Sequence, residues 1–287
     1  MSLREAMPED AGAIEAFLAQ HPTTSLFLRS NLARFGPCGG EGSHATKMWL
    51  AERDGAIRAV YGISSFGMAM LQAPALDSLP AFAAAVEGQA LAGVTGDPSQ
   101  VDTLRRTLGL EDARTRHDEA EPLYDLPLDQ LRIPDGTTRL IRARDRDFET
   151  LCAWRLRHHV DLFGAPPDEA AVTAKGDIER MVEEDRLRVL VDAAGTPMAK
   201  TGFNATLPDI VQIGYVYTPP TQRSQGHARR AVALHLAEAR EAGVSRAILF
   251  AANEPACRAY EAIGFERIGD YTILLFDGKQ TIAKGLT

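Results

Sequence analysis

Strand-like and helix-like patterns alternate along the second half of the chain. Residues 210–217 (IVQIGYVY) form a nearly unbroken β-branched, aromatic and apolar run, as a mostly buried strand requires. Pro219 and Pro220 end it, because proline cannot donate to a strand ladder. After Gly226, small and apolar residues recur at Ala228, Ala231, Val232, Leu236 and Ala239, the stripe of a helix with one packed face. Gly243 is placed to end that helix. A strand at Ala247–Phe250 and a helix at Pro255–Ile263 follow. Upstream, the same reading predicts helices at Phe148–His159 and Asp168–Glu184, with strands at Leu187–Asp192 and Pro197–Asn204.

The first half reads as a faded copy of the second. Leu3-Arg4-Glu5-Ala6 with Asp10 parallels Leu140-Ile141-Arg142-Ala143 with Asp147, each a short strand leading into a helix. Trp49 to Gly55 parallels Val189 to Gly195, each a strand entering a hairpin turn. In the first half a strand at Met68–Gln72 leads into APALDSLP, and Asp97 and Pro98 are an N-cap and first residue for a helix at Gln100–Leu108. Residues 118–134 are rich in acids and prolines around a short strand, Leu123–Leu126. The boundary is therefore expected at Asp135-Gly136, giving domains of 1–135 and 136–287.

The chemistry concentrates between the strand at 210–217 and the helix after it. Arg223, Arg229 and Arg230 crowd a helix start whose dipole is already positive, a placement that an anion at the exposed amides would reverse in sign. Arg223-Ser224-Gln225-Gly226-His227-Ala228 matches a (Gln/Arg)-x-x-Gly-x-(Gly/Ala) pattern, and Asn253, Ala256, Tyr260 and Gly264-Phe265 recur at fixed intervals after the next strand. In these two motifs, in that order and on those elements, the chain resembles the GCN5-related N-acetyltransferases.

The resemblance implies an α/β (α+β) fold of two related domains, each a mixed, mostly antiparallel sheet flanked by helices. Only the second carries the cofactor motif; in the first, no Arg-x-x-Gly-x-Gly loop follows the strand at Met68–Gln72. It further implies acetyl-CoA as cofactor. Val216, Tyr217 and Thr218 would meet the pantetheine arm through main-chain groups, and Ser224, Gln225, Gly226, His227, Ala228 and Arg229, beside Arg223, would hold the pyrophosphate. Asn253 would bond the pantetheine, and Tyr260 corresponds to the acid that protonates the departing thiolate. His158, His159 and Asp161 fall in the region that lines the acceptor side. The competing reading of the two histidines puts one in packing and one in solvent. Where the histone-modifying branch has a glutamate on the strand, this chain has Gln212, which lacks the basicity to serve. His158, Asp209 and His227 are the remaining candidates for a base, and none is assigned.

Composition sharpens this picture in three respects. A chain of 287 residues suits two domains of about 140 each. A net charge of −8 weighs against nucleic acid as a partner, and so against an aminoacyl-tRNA-dependent transferase, while leaving room for a local basic patch. Cys38, Cys152 and Cys257 lack metal-ligand spacing and read as free thiols; with charges in MSLREAMPED where a signal peptide needs an apolar run, a cytoplasmic protein is expected. The expected activity is acetyl transfer to a primary amine of a small molecule, amino acid or peptide by a monomer or homodimer, away from membranes. A non-catalytic acyl-CoA sensor is the alternative.

Overall fold

In the computed structural model, residues 1–145 and 148–285 are described. Asp147, paired above with Asp10, lies outside them. In chain order the elements are β1 (Ser2–Glu5), α1 (Ala11–Leu18), α2 (Leu26–Phe35), β2 (Thr46–Arg53), β3 (Ala56–Ser64), β4 (Met68–Gln72), α3 (Leu79–Ala85), β5 (Ala90–Gly96), α4 (Pro98–Thr107) and β6 (Thr115–Pro127). Then follow β7 (Arg139–Arg142), α5 (Phe148–Phe163), α6 (Pro167–Glu183), β8 (Leu187–Val191), β9 (Pro197–Thr206), β10 (Ile210–Tyr217), α7 (His227–Glu241), β11 (Arg246–Phe250), α8 (Glu254–Glu261) and β12 (Glu266–Thr281). The chain forms two compact units, Met1–Glu121 with Asp270–Thr287, and Pro122–Gly269. The sequence reading divides the chain at 135/136. Residues 122–135 instead belong to the second unit and residues 270–285 to the first, because each segment supplies a strand or strand extension to that unit's sheet.

In the first unit the strands run β1-β2-β3-β4-β5, closed by the C-terminal part of β12. All neighbours are antiparallel except β4 and β5, paired in parallel through Met68–Gly93 to Met70–Thr95. One face packs Trp49, Tyr61, Phe82, Leu91, Leu104 and Phe276, with Phe82 stacked on Tyr61 at 4.4 Å. On the other, Met48 and Val60 pack against Ile14 of α1 and Leu28 of α2. Asp97 caps α4 as its sequence predicts, its Oδ1 accepting from the Ser99 amide at 3.0 Å and the Gln100 amide at 3.3 Å, an arrangement worth about 1 kcal/mol. Where the second unit has the glycine-containing loop 218–226, this unit has a short 3₁₀ turn at Leu76–Ser78 running into α3, with Leu79 and Ser78 buried.

The second unit repeats the plan: β7-β8-β9-β10-β11, closed by residues 123–127 of β6 antiparallel to β11. Here too the first four strands are antiparallel and the fourth and fifth, β10 and β11, are parallel. Helix α7 covers one face through Val232, Leu236 and Ala239, packed on Phe203, Val211, Ile213 and Leu249. Helices α5 and α6 cover the other through Leu151, Ile178 and Met181 against Val189 and Tyr215. Helix α5 runs one turn past the predicted end at His159, to Phe163, and Gly164 then stops it in a left-handed conformation. Gly264 joins α8 to β12 at φ 110°, and a Cβ there would lie 2.8 Å from the Gln130 carbonyl oxygen, so only glycine fits the motif's Gly-Phe step.

His235 lies in the middle of α7, 2% exposed, its ring stacked on Phe203 at 3.8 Å and its Nδ1 without a hydrogen-bond partner. Burial, with Arg188 nearby, holds it well below the ordinary value of 6.5. The folded protein therefore keeps His235 neutral while the unfolded chain takes up a proton below pH 6.5, so this residue lowers stability as pH falls through that value. Urea unfolding between pH 8 and pH 5.5 is expected to show this loss, and His235→Leu to shrink it by up to about one proton's worth. An unchanged slope in the variant would show that His235 is not buried neutral.

Candidate functional site

Strands β10 and β11 stay paired only from Ile210–Arg246 to Ile213–Leu249. Beyond that point β10 continues to Tyr217 along β9 alone, with an irregularity between Gly214 and Tyr217 that bends the strand. Tyr215 sits in this bend at φ 56°, a left-handed conformation that costs a tyrosine on the order of 1–2 kcal/mol. The parting leaves the main chain of residues 214–217 without a ladder partner on the β11 side, in the stretch where Val216 and Tyr217 were predicted to act. Thr218 follows, its Oγ1 sealed from solvent and without a partner.

The loop 218–226 then turns into α7. Ser224 at φ 63° and Gly226 at φ 79° are both left-handed, and backbone curled this way gathers N–H groups into an anion-binding concavity. A Cβ on Gly226 would meet only the flexible Arg229 guanidinium, at 3.0 Å, so it is the left-handed φ that calls for glycine here. No side chain caps α7, and its first helical bond runs from the Arg230 amide to the Gly226 carbonyl. The amides of His227, Ala228 and Arg229 are thus the unpaired donors of a helix start. His227 Nε2 is sealed and unpartnered as well. Arg223 donates from Nε to the Thr218 carbonyl at 3.1 Å and lies 6.0 Å from the Tyr217 ring, whereas Gln225 and Arg229 reach solvent. Arg230 differs from the sequence reading. It donates to the carbonyls of Pro134, Gly136 and Thr138, tying the residues before β7 to α7, and so is occupied structurally.

Asn253 is the N-cap of α8, its Oδ1 accepting from the Ala256 amide at 3.0 Å, which commits that oxygen and leaves its amide nitrogen as the group available to a ligand. Tyr260, 7% exposed, packs in the α7-side core with its ring edge-on to Phe265 at 6.1 Å. Gln212, where a base was sought, is 2% exposed with Oε1 unpartnered. Asp209 accepts from the amides of Ser245 and Arg246 through its carbonyl and belongs to the turn before β10. Asp161 faces solvent.

The two histidines are both packed, unlike the one-in, one-out expectation. His158 stacks on Tyr217 at 6.4 Å and Phe163 at 6.1 Å with Nδ1 unpartnered, while His159 Nε2 lies 3.2 Å from Asp177 Oδ2. Burial, then the positive charge of Arg155, holds both below the usual histidine range; at His159 the hydrogen bond to Asp177 opposes that. Asp177 is the centre of a group that sequence reading missed. Its Oδ2 accepts from Arg155 Nε at 2.8 Å and Nη2 at 2.6 Å, and its Oδ1 accepts from Arg180 at 2.9 Å. Burial alone would raise its pKa, but these donors and charges hold the carboxyl below the usual range. Arg180 also donates to the Tyr215 hydroxyl at 3.0 Å, and the Arg155 guanidinium lies over the Tyr215 ring at 4.0 Å. These two arginines hold the strained residue at the bend. Lys200, opposite Tyr217 in the β9–β10 register, is fully buried, and its Nζ has no hydrogen-bond partner. A lysine within the largely apolar strand β9 was the available signal; Arg155, Asp177 and Arg180 stand among other charged residues on α5 and α6 and carried none.

Asp177→Asn removes the carboxylate that neutralises two largely buried guanidiniums and is expected to destabilise the protein by about 3 kcal/mol. Urea unfolding at pH 7 measures it, and a loss under about 1 kcal/mol would mean the cluster is solvent-screened.

Residues 143–265 match the model of the acetyltransferase (GNAT) family. A mycothiol acetyltransferase of Thermomonospora curvata is 30% identical over 182 residues, 60% of this chain, and the chain spans 58% of that protein's length. A tandem GNAT protein from the clavulanic acid biosynthesis pathway covers 99% of this chain and is itself 99% covered, with a TM-score of 0.58 and 14% identity. A GCN5-related N-acetyltransferase from Kribbella flavida covers 95%, is 97% covered, and has a TM-score of 0.55 and 17% identity. At those identities the two structures bear on the fold alone. With the parted strands, the glycine loop and the family match falling on the same elements, residues 143–265 form a domain of the GNAT family.

Proposed function

We propose that the second unit is an acetyl-CoA-dependent N-acetyltransferase acting on a primary amine of a small molecule, amino acid or peptide. The observation that carries this reading is the parting of β10 from β11 after Ile213, directly before a left-handed loop and an uncapped helix start. These features fit an extended thioester arm ending in a diphosphate. The helix start offers free amides and a positive dipole end to the anion, and the parted strand offers main-chain groups to the arm. The match to the GNAT family and the likeness to a mycothiol acetyltransferase support the same reading.

Within this proposal, the amides of residues 227–229 and the loop from Ser224 hold the diphosphate, and Arg223 screens its charge. The main chain of Val216, Tyr217 and Thr218 lines the pantetheine arm, and the Asn253 amide donates to it. When bound, acetyl-CoA supplies the carbonyl to be attacked and the thiolate that leaves. A main-chain N–H in the 216–218 segment would donate to the oxygen on which charge develops. Tyr260 holds a phenolic proton for the thiolate, its ring fixed by Phe265. The amine must arrive neutral or lose its proton to water, because Gln212 has no basicity to offer. That same glutamine is what favours the second reading, a protein that binds acyl-CoA without turning it over.

Gly226→Pro removes an amide and demands φ near −65° where the loop holds 79°, so acetyl-CoA affinity is expected to fall about 100-fold or more. Calorimetry with acetyl-CoA measures this, and unchanged affinity would sink the assignment of the loop. Tyr260→Phe is expected to lower kcat about 100-fold in a thiol-release assay over an amine panel while binding changes little. Equal losses in rate and binding would assign Tyr260 to packing. Binding by the unaltered protein with no thiol release from any amine would support the sensor reading instead.

A further inference from the structure

The polar group at α5 and α6 gathers three basic side chains. Arg155 and Arg180 both donate to Asp177, whose Oδ2 also lies against His159. Lys200 adds a third basic side chain at the inner end, its Nζ unpartnered and 5.5 Å from the centre of the Tyr215 ring. The groups around it are Cys152, Arg155, His158 and His159 on α5, Asp177 and Arg180 on α6, and Tyr215 and Tyr217 on β10. Among the described residues, Asp177 is the one carboxylate acting on Lys200.

An unpaired lysine in a core is costly in either protonation state. The ammonium loses hydration, and the neutral amine leaves its donors unused. A methionine would fill the same space without that cost. A lysine at this position makes sense if an anion meets it during function. At the outer end, the Arg180 side chain is 25% exposed, so the cluster meets solvent there. The cluster also adjoins the parted strand, since Tyr215 is held by Arg155 and Arg180 and Tyr217 lies opposite Lys200. One small molecule can therefore place an anionic end in the cluster and an amine beside β10.

We propose that Arg155, Arg180 and Lys200 form a carboxylate-binding subsite, and that the acceptor is accordingly an amine carrying a carboxylate, such as a free amino acid. This rests on the transferase reading for the role of the amine, but not for the anion site itself. Burial, with Arg155 adding to it, holds Lys200 well below the usual lysine range. A carboxylate brought beside it favours the ammonium, and binding then takes up a proton.

The test is calorimetry of the full chain with CoA present, using the common amino acids and their carboxamides, in two buffers of different ionisation enthalpy. At least one amino acid is expected to bind ten times or more tighter than its carboxamide, with uptake of up to one proton. Lys200→Met is expected to abolish both the preference and the uptake. It should also raise Tm, because the unfolded chain protonates Lys200 below its ordinary value of 10.5 and the folded state at pH 7 carries that penalty. The raised Tm shows that the variant is folded. Equal binding of acid and amide, no binding of any amino acid, or a preference surviving in Lys200→Met overturns the subsite. If acetyl-CoA itself does not bind, the transferase reading falls. The acid-against-amide comparison without CoA then decides the subsite by itself.

Discussion

A parallel pair of strands that stops pairing partway is the constraint on which the second unit turns. Strands β10 and β11 are hydrogen-bonded through Ile213 and Leu249, and past that point β10 bends away at Gly214 and Tyr215. Main-chain groups in a sheet must find partners or cost free energy. A sheet that opens in this way is a place for an extended ligand to complete the ladder. The loop and uncapped helix that follow lie at the same end of the strand, so the polar backbone of three consecutive elements is available together.

The bend has its own support. Tyr215 occupies a conformation that a tyrosine adopts only under constraint, and the constraint is visible: Arg180 on its hydroxyl, Arg155 on its ring face, and Asp177 joining the two arginines. The charge cluster under α5 and α6 and the opening of the sheet are therefore one device. Asp177 acts at the bend through Arg155 and Arg180, and Lys200 reaches the same tyrosine from β9. This coupling gives polar side chains a role in a layer that would otherwise be filled with leucine and valine.

The two units show how far a repeat is carried by pattern. Both run four antiparallel strands and a parallel fifth, although the sequence parallels between them are confined to the first two strands of each. They part company after the fourth strand. In one, a glycine-containing loop curls through left-handed residues into α7; in the other, a 3₁₀ turn leads into α3 with Ser78 and Leu79 buried.

Much of this was legible along the chain. Hydrophobic patterns located the elements from β8 to α8 to within a few residues, because they record which face of each element is buried, whereas α2, β3, β5 and β12 were not read and β6 was read only as 123–126. Asp97 with Pro98, and Gly226, could be read because capping and positive φ are decided by neighbours in sequence. Other features were settled only in three dimensions. Residues 123–127 and 272–276 are both short apolar strands, and nothing local says which sheet edge each will fill; the compact units assign them opposite to their order in the chain. Likewise Arg155, Asp177, Lys200 and Tyr215 stand on four different elements, α5, α6, β9 and β10. Sequence fixes the face on which a side chain emerges, whereas the partners it meets there depend on how helices and sheet pack. The glycine loop after β10 was written locally, whereas the opening of the sheet and the charge cluster beside it came from packing.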